Sequence, residues 1–371
     1  MNNPDKNHHS LHHYRRRAGA PAVAAAVVVA VASGVAAAPA HHGGRHTVQP
    51  GESIQAAVDA AAPGDVVVVS PGTYRESVEI TTSGITLRGS GPGTVIAPPA
   101  ATETGRRAES ACAKAGNGVC ITGTEAAGVT GVTIRSLTIS GFAKGGLWAS
   151  RTDRLTVREV TAEQNGTWGL GQEKSTRAVF RHNTARGNKD AGIMLTNIVG
   201  HEAAATDSLG TVVADNTLTD NRLGVMLKRI RNLSTHANEI TANCAGIFVV
   251  SDESKPGSGD ITIRSNTIHE NNKFCAATPR LPAIQGSGIV LTGSDATLIK
   301  DNSVRGHHSD TLLAGGIVLA ESYVGATNTG NVIEHNTVTE NIAADLVDRG
   351  NGTGNTFRKN SCASSKPAGL C

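Results

Sequence analysis

The sequence predicts an all-β solenoid, in which short strands stack coil upon coil behind a short N-terminal capping helix. Two strand-like phrases recur along most of the chain, and asparagines recur at fixed places between them. Aromatic residues make up only 3% of the 371 residues. A core built from repeated layers of Val, Ile and Leu needs few large side chains, so these observations favour one architecture.

Residues 1–40 are typical of an export signal. A basic stretch, Arg15–Arg17, precedes the apolar run Ala20–Val35, and small residues at Ala36–Ala40 supply a cleavage pattern. A membrane anchor is the alternative, but the apolar run is shorter than the roughly twenty residues that a span needs. We therefore expect a secreted, extracellular protein with no membrane attachment after cleavage.

The formal net charge of +3 argues little once this segment is set aside. Residues 41–371 contain 30 basic and 30 acidic residues. Bulk positive charge therefore gives no support to nucleic-acid binding, and we expect no nucleic-acid partner.

The first element after the signal is a short amphipathic helix within Thr47–Ala61. Ile54, Ala57 and Val58 fall on one of its faces. Pro63-Gly64-Asp65 ends it, and Val66–Val69 begins the sheet. A helix in this position, about 47–65, would cover the end of a solenoid core.

The repeat proper starts at Val132. One phrase, Val-Thr-Ile-Arg-Ser-Leu-Thr-Ile at 132–139, has echoes at 155–160, 179–184, 261–268, 298–304, 332–338 and 356–361. The other, Gly-Ile-x-Leu, begins at Gly192, Gly224, Gly246, Gly288 and Gly316, after shorter forms at Gly146 and Gly169. The first three glycines of this series, at 146, 169 and 192, are 23 residues apart. A period of that length with no helix-length amphipathic stretch indicates a β solenoid with loop insertions.

Asparagines mark the turns in two columns. The first column holds Asn183, Asn216, Asn238, Asn266, Asn302, Asn336 and Asn360. The second holds Asn165, Asn188, Asn221, Asn243, Asn271 and Asn341, with His307 in one place. Coils stacked at about 4.8 Å would let each buried amide bond the one above and the one below.

With these repeats and the cap, the sequence resembles the right-handed parallel β-helix, or pectin-lyase-like, superfamily of secreted β-helix-repeat proteins over roughly residues 47–361. The resemblance implies a single-stranded right-handed parallel β-helix over residues 41–361. Members of that superfamily include lyases, hydrolases, epimerases, adhesins and maturation factors, so the fold alone does not give the function.

All six cysteines lie in the exported part, which predicts disulfides. Fifteen pairings are possible, and proximity favours Cys112 with Cys120, Cys244 with Cys275 and Cys362 with Cys371. The last pair would close residues 362–371 into a C-terminal tail. A zinc site is the alternative, but no C-x-x-C pair occurs.

Motifs of the well-known enzymes of this superfamily are absent. The W-x-D-H segment of pectate lyases, the adjacent aspartates of polygalacturonases and the acidic-histidine signature of alginate epimerases do not occur. The acidic residues form no column that would bind calcium. No metal or cofactor is evident from the sequence, and calcium is an alternative that no feature supports.

A basic column lies two residues before the first asparagine column. It holds Arg135, Arg158, Arg181, Arg264, Lys300 and Arg358. Outward guanidinium groups at each coil could bind the carboxylates of an acidic polysaccharide, so Arg135, Arg158 and Arg181 are candidate substrate-binding residues. The alternative is an ordinary solvated strand face, partly neutralised by Glu159, Asp215 and Asp301.

A second candidate site follows the Gly-Ile-x-Leu strand. Ser150, Glu173, Thr196 and Lys228 align in successive coils, beside Arg151, Lys174, Asn197 and Arg229. Cleavage of a uronate polymer by β-elimination needs a cation for the carboxylate and a base for the neighbouring proton. We assign these roles to Arg229 and Lys228, with Glu173 as a third catalytic candidate and Lys174 and Asn197 as substrate-binding candidates. An exposed charged sheet surface is the alternative.

Insertions at 197–211, 251–260 and 272–286 lengthen the coils next to this strand and would frame a groove. Met194, Met226 and Phe248 are expected to point outward there, most simply packed under the loops, and Trp148 could stack on a sugar.

The function predicted from these features is that of a secreted, monomeric carbohydrate-active protein, namely a polysaccharide lyase acting on an acidic, uronate-containing polysaccharide. A non-catalytic glycan-binding or surface protein is the main alternative. A periplasmic maturation factor is a further one, although no Cys, Met or His cluster supports metal handling.

Overall fold

The computed structural model describes residues 43–99, 110–279, 281–350 and 352–371. The predicted export signal, residues 1–40, lies outside the described residues. The described part of the chain is a right-handed parallel β-helix, as predicted, with two short helices, α1 (Ile54–Ala60) and α2 (Ala111–Lys114).

The strands form two long parallel sheets, here called sheet A and sheet B, and one short pair. Sheet A contains β1 (Arg45–Val48), β2 (Val66–Val69), β3 (Gly72–Arg75), β5 (Thr86–Gly89), β6 (Thr94–Ala97), β9 (Thr133–Ser140), β12 (Thr156–Glu163), β14 (Val179–Arg181), β15 (Thr184–Arg186), β17 (Thr206–Ala214), β18 (Thr217–Thr219), β20 (Ile230–His236), β21 (Glu239–Thr241), β23 (Gly259–Arg264), β24 (Thr267–His269), β26 (Leu298–Lys300), β27 (Ser303–Arg305), β29 (Val332–Glu334), β30 (Thr337–Thr339) and β32 (Thr356–Arg358). Sheet B contains β4 (Val78–Ile80), β7 (Val119–Thr122), β10 (Leu147–Ser150), β13 (Leu170–Glu173), β16 (Ala191–Thr196), β19 (Leu223–Lys228), β22 (Ala245–Val250), β25 (Ser287–Thr292), β28 (Gly315–Ala320), β31 (Leu346–Asp348) and β33 (Ser365–Lys366). The short pair is β8 (Val129–Thr130) with β11 (Thr152–Asp153).

The two repeated phrases correspond to the two sheets. The Val-Thr-Ile-Arg phrase and its echoes supply sheet A, and each Gly-Ile-x-Leu phrase supplies one strand of sheet B. Alternation along each strand sends every second side chain inward, so Val157, Phe180 and Ile193 belong to one continuous core that fills the solenoid.

The first asparagine column bends sheet A. The residue before each of these asparagines has a positive φ, as at His182 (φ 55°) and Asp215 (φ 55°). Asn183 Nδ2 donates to Asn216 Oδ1 at 3.0 Å and to the carbonyl of Val157 at 3.0 Å. The buried amides therefore stack from coil to coil as predicted, and they satisfy the backbone at each bend.

The N-terminal cap differs from the prediction in one respect. Strand β1 precedes helix α1 and pairs with β2, so the sheet begins before the helix and not at Val66. The helix is shorter than the stretch Thr47–Ala61, since the side chain of Ser53 caps its first turn and Glu76 accepts hydrogen bonds from the amides of Ile54 (2.8 Å) and Gln55 (3.1 Å).

The three disulfides are those favoured by proximity: Cys112–Cys120, Cys244–Cys275 and Cys362–Cys371. The segment predicted as a C-terminal tail contributes a strand, because β33 pairs with β31 and ends sheet B. Helix α2, which holds Cys112, was not predicted.

A second apolar cluster lies on the outer side of sheet B. Met194, Met226 and Phe248 align there in adjacent coils, and all three are buried. Ile284 and Leu313, from the segments before β25 and β28, pack over them. These side chains therefore point outward and pack under inserted segments, as predicted.

Within the described residues, neither helix is long and apolar enough to cross a lipid bilayer.

Candidate active site

The row predicted on sheet B is in register. Ser150 pairs with Glu173, Glu173 with Thr196, and Thr196 with Lys228. These four residues occupy the ends of β10, β13, β16 and β19, so the row runs along the solenoid at its outer edge.

A cavity of about 760 Å³ opens at the Lys228 end of this row. Lys228, Arg229 and Val250, at the ends of β19 and β22, line one side of it. The walls come from segments that join sheet B to other strands: 197–205, 251–258, 270–286 and 321–331. The first three coincide with the predicted insertions, which therefore frame one cavity.

The wall segments supply several ionisable or hydroxyl groups. His201 and Glu202 are exposed on the first segment, and Tyr323, which is 57% exposed, lies on the fourth. Burial raises the pKa of the Tyr323 phenol. The cavity therefore combines a lysine with three other groups that can exchange protons.

Arg229 is buried, whereas the role assigned to it from the sequence, binding of a substrate carboxylate, requires an exposed guanidinium group. Its relative exposure is 6%, and its φ of 52° turns the chain away from the strand. Its Nε lies against Oδ2 of Asp252, and its Nη1 is 3.4 Å from the carbonyl oxygen of Ile198. Arg229 and Asp252 thus form an ion pair that holds two wall segments together.

Asp252 itself is almost fully buried. Its carboxylate also accepts hydrogen bonds from the amides of Ala203 and Ser254, both at 3.3 Å. The positive charge of Arg229 is therefore compensated inside the protein. Lys228 is half-buried at the cavity surface.

Asp190, directly before β16, is a further ionisable group near this face. Burial raises the pKa of its carboxyl, and the positive charges of Arg222 and Lys228 oppose that shift only partly. Asp190 and Lys228 are therefore electrostatically coupled on this face.

Glu173 stands apart from the cavity. It lies two coils before Lys228 in the row, about 10 Å away between backbones. Its carboxylate accepts a hydrogen bond from Ser150 Oγ at 3.0 Å. The structure brings Lys228 and Arg229 together but not Glu173.

The remaining candidates on this face are dispersed. Trp148 is half-buried and lies against Trp168, with ring centroids 4.4 Å apart, over the bare backbone of Gly171. Lys174 lines a separate shallow cavity of about 450 Å³. Asn197 donates to the carbonyl of Ala204 at 2.5 Å and so shapes its own loop.

The basic column lies on sheet A. Arg135, Arg158 and Arg181 are in register on β9, β12 and β14. Arg158 lies 3.7 Å from Glu159, and Arg181 lies 2.6 Å from Asp215. Further along, Ala214, His236 and Glu334 interrupt the column.

Three ionisable residues near this site were not predicted from the sequence: Asp252, Asp190 and Tyr323. Asp252 follows the residue in register with Arg229, so the strand register could have identified it as a partner. Asp190 precedes a strand by one residue, and Tyr323 lies on an insertion that the repeat intervals did not single out.

Most of the chain matches a known family. Residues 117–279, 195–330 and 255–371, which overlap, match the family described as "Right handed beta helix region". No curated protein matches the chain in sequence.

Solved structures share the fold at low identity. DFA-IIIase from Arthrobacter chlorophenolicus is 14% identical, with 86% of each chain covered and a TM-score of 0.61. The A-module of mannuronan C-5 epimerase AlgE4 from Azotobacter vinelandii is 20% identical, covering 84% of this chain and 88% of that one, with a TM-score of 0.51. A double mutant of the periplasmic alginate epimerase AlgG is 14% identical, covering 86% and 73%, with a TM-score of 0.55.

Proposed function

The chain belongs to the right-handed β-helix family, and on that premise we propose that it is an exported carbohydrate-active enzyme of uronate-containing polysaccharides. The reaction proposed is abstraction of the proton next to a uronate carboxylate, in the cavity beside Lys228. The observation that carries the proposal is this cavity: a lysine on the sheet surface surrounded by inserted segments with His201, Glu202 and Tyr323.

The names of two solved structures of the same fold support the substrate class. One is a mannuronan C-5 epimerase and the other an alginate epimerase, so both are named for acting on uronate polymers. Three disulfides support export, because disulfides persist in oxidising compartments.

In the proposed mechanism, Lys228 meets the substrate. The mechanism requires Lys228 in its uncharged form: the amine takes the proton from the carbon next to the carboxylate, and the electron pair of the broken C–H bond moves into the carboxylate to form an enolate-like intermediate. For a lyase, the glycosidic oxygen at the next carbon then leaves with the bonding pair and takes a proton from an acid such as Tyr323. The electron pair of the intermediate then forms a double bond between the carbon that lost the proton and the carbon that lost the glycosidic oxygen.

Arg229 has a positioning role in this proposal. Because Asp252 already compensates its charge, it orients Lys228 and the cavity wall. The role proposed for the remaining candidates is contact with neighbouring sugars of the polymer. These candidates are Glu173, Lys174, Asn197 and Trp148.

The reaction is tested by incubating the protein with polymannuronate, polyguluronate and polygalacturonate in deuterated water. A lyase yields new unsaturated chain ends, detected by absorbance and NMR, and an epimerase yields deuterium at the inverted carbon. We expect one of these products, and we expect Lys228→Ala to lower its rate at least about a hundredfold, the usual effect of losing a general base.

Lys366→Ala is the matched control, since Lys366 is an exposed lysine at the far end of the same sheet. It should leave the rate unchanged. If neither product forms with any of the three polymers, the enzymatic proposal is rejected and a non-catalytic glycan-binding protein is favoured.

A further inference from the structure

We propose that the protein carries a second binding surface for a linear acidic polysaccharide, on sheet A and separate from the cavity. Its centre is an arginine row: Arg88, Arg135, Arg158 and Arg181. The inference rests on the proposed function for the class of ligand, but it concerns binding and not the reaction.

The arginine row is regular. Arg88 pairs in register with Arg135, Arg135 with Arg158, and Arg158 with Arg181, on β5, β9, β12 and β14. Adjacent strands lie about 4.8 Å apart, so the four backbones span roughly 14 Å along the solenoid axis. Arg88, which precedes the repeat detected in the sequence, extends the row to four successive coils without a gap.

Folding stability does not account for such a row. Like charges directly opposite each other on neighbouring strands destabilise a sheet. The pKa of Arg135 is lowered by burial and then by the positive charges of Arg158 and Arg88, and the negative charge of Glu159 opposes this shift. Among the described residues, no carboxylate lies within 4.0 Å of Arg88 or Arg135, whereas Arg158 lies 3.7 Å from Glu159 and Arg181 lies 2.6 Å from Asp215. Ion pairs therefore compensate two of the four arginines.

A row of hydroxyl groups accompanies the arginines. Thr86, Thr133 and Thr156 precede Arg88, Arg135 and Arg158 by two residues, so they face the same way. They too are in register from coil to coil. The surface therefore repeats one guanidinium group and one hydroxyl group at each of three coils.

This repeat fits a uronate polymer lying across the strands. Such a polymer has one carboxylate and free hydroxyls on every ring, and a pyranose ring is about as long as one coil step. The planar guanidinium group binds a carboxylate through two parallel hydrogen bonds, which lysine cannot do. Sheet A thus offers one carboxylate site per sugar.

The arginine row and the cavity lie on different parts of the molecule. The row belongs to sheet A on the coils before β16, whereas the cavity lies at the ends of β19, β22 and β25 of sheet B. A polymer held on the row would keep the protein on its substrate without occupying the reaction site.

The test compares two triple variants in a Lys228→Ala background, which prevents turnover of the ligand. The first variant removes three of the four arginines of the row: Arg88→Gln/Arg135→Gln/Arg158→Gln. The second removes three charges from the interrupted part of the same column: Arg264→Gln/Lys300→Gln/Arg358→Gln. Polymannuronate binding is measured by calorimetry, with a carboxyl-reduced polymer as the neutral ligand. Thermal unfolding checks that both variants are folded.

We expect the first triple variant to weaken polymannuronate binding at least about tenfold, since charge-assisted hydrogen bonds are lost at three coils. The second should change it less than about threefold, because its charges do not form a continuous row. The neutral polymer should not bind. If both variants lose the same amount of affinity for polymannuronate, binding depends on bulk charge only and the proposal is overturned. The proposal is also overturned if neither variant loses affinity.

A duplex DNA of similar charge is the last probe. If the DNA binds to the row with an affinity equal to or higher than that of polymannuronate, the assignment to a polysaccharide is overturned. Failure of the proposed reaction is seen separately, as the absence of product with the native protein.

Discussion

His307 is the one histidine in the asparagine columns, and it shows how strict those positions are. It is fully buried, its Nδ1 lies 2.8 Å from Asn341 Oδ1, and its Nε2 lies 3.1 Å from Asn271 Nδ2. The neutral ring, with the proton on Nδ1, donates to one amide and accepts from the other. It therefore replaces an asparagine without leaving a donor or acceptor unpaired.

Protonation of His307 would break this arrangement. Burial lowers its pKa from 6.5 to about 4. The unfolded chain therefore binds a proton below pH 6.5 that the folded protein does not bind until about pH 4. We expect the stability from this group to be complete above pH 6.5 and to fall by roughly 3 kcal/mol as pH drops to about 4.

His307→Asn should remove most of this acid sensitivity, because asparagine restores the column. The free energy of unfolding, measured by urea denaturation between pH 4 and 7, gives the comparison. His236, whose pKa is also lowered by burial and by Arg264, should retain a smaller dependence. An unchanged slope in His307→Asn would contradict the assignment.

At the scale of elements, the segment 270–286 acts as a cover for the outer apolar cluster. Cys275 ties it to Cys244 at the start of β22, and Ile284 packs on Phe248 and its neighbours. The disulfide and this packing hold the segment against the outer face of sheet B.

We predict that Cys244→Ala/Cys275→Ala loosens this cover. Closing 31 residues by a disulfide stabilises a fold by roughly 3–4 kcal/mol in the chain-entropy account. Trypsin should then cut after Lys273 much faster, and the free energy of unfolding should fall by up to this amount. Cys362→Ala/Cys371→Ala is the control, and it should leave cleavage at Lys273 as in the native protein. Equal cleavage rates in all three proteins would mean that the disulfide does not hold the segment.

The elements also show what sequence can and cannot predict. Register followed from repeated residues, so the basic column and the row that ends at Lys228 were placed correctly. The burial of Arg229 could not be predicted, because it depends on how two irregular segments close over Asp252. The burial of Gln172 was not predicted either. Gln172 is in register with Ala149 and Leu195 in the core, and neither of its polar side-chain atoms has a hydrogen-bond partner among the described residues.

For the whole molecule, stability is a sum of contacts between neighbouring coils. Asn216 shows the interior case. It accepts hydrogen bonds from the amide and Nδ2 of Asn183, both at 3.0 Å, and donates to Asn238 Oδ1 (2.9 Å) and the carbonyl of Phe180 (3.0 Å). Asn360, at the end of the same column, is half-buried and has no asparagine beyond it among the described residues.

Asn216→Ala should therefore destabilise the protein by about 3 kcal/mol or more, since buried donors lose their partners. Asn360→Ala should cost only about 1 kcal/mol, because Asn360 is half-buried at the end of the column and water can take the place of its side chain. Urea denaturation measures both. Similar losses would show that the position in the stack does not matter.

The bends at positive φ, one before each asparagine, have a consequence for how such a molecule changes in evolution. Each bend returns the chain to the same register, as His182 and Asp215 do. Duplication of about 23 residues would add one coil and one more guanidinium group to the arginine row. An insertion between strands would alter only a cavity wall. The length of the binding surface and the chemistry of the cavity can therefore diverge independently.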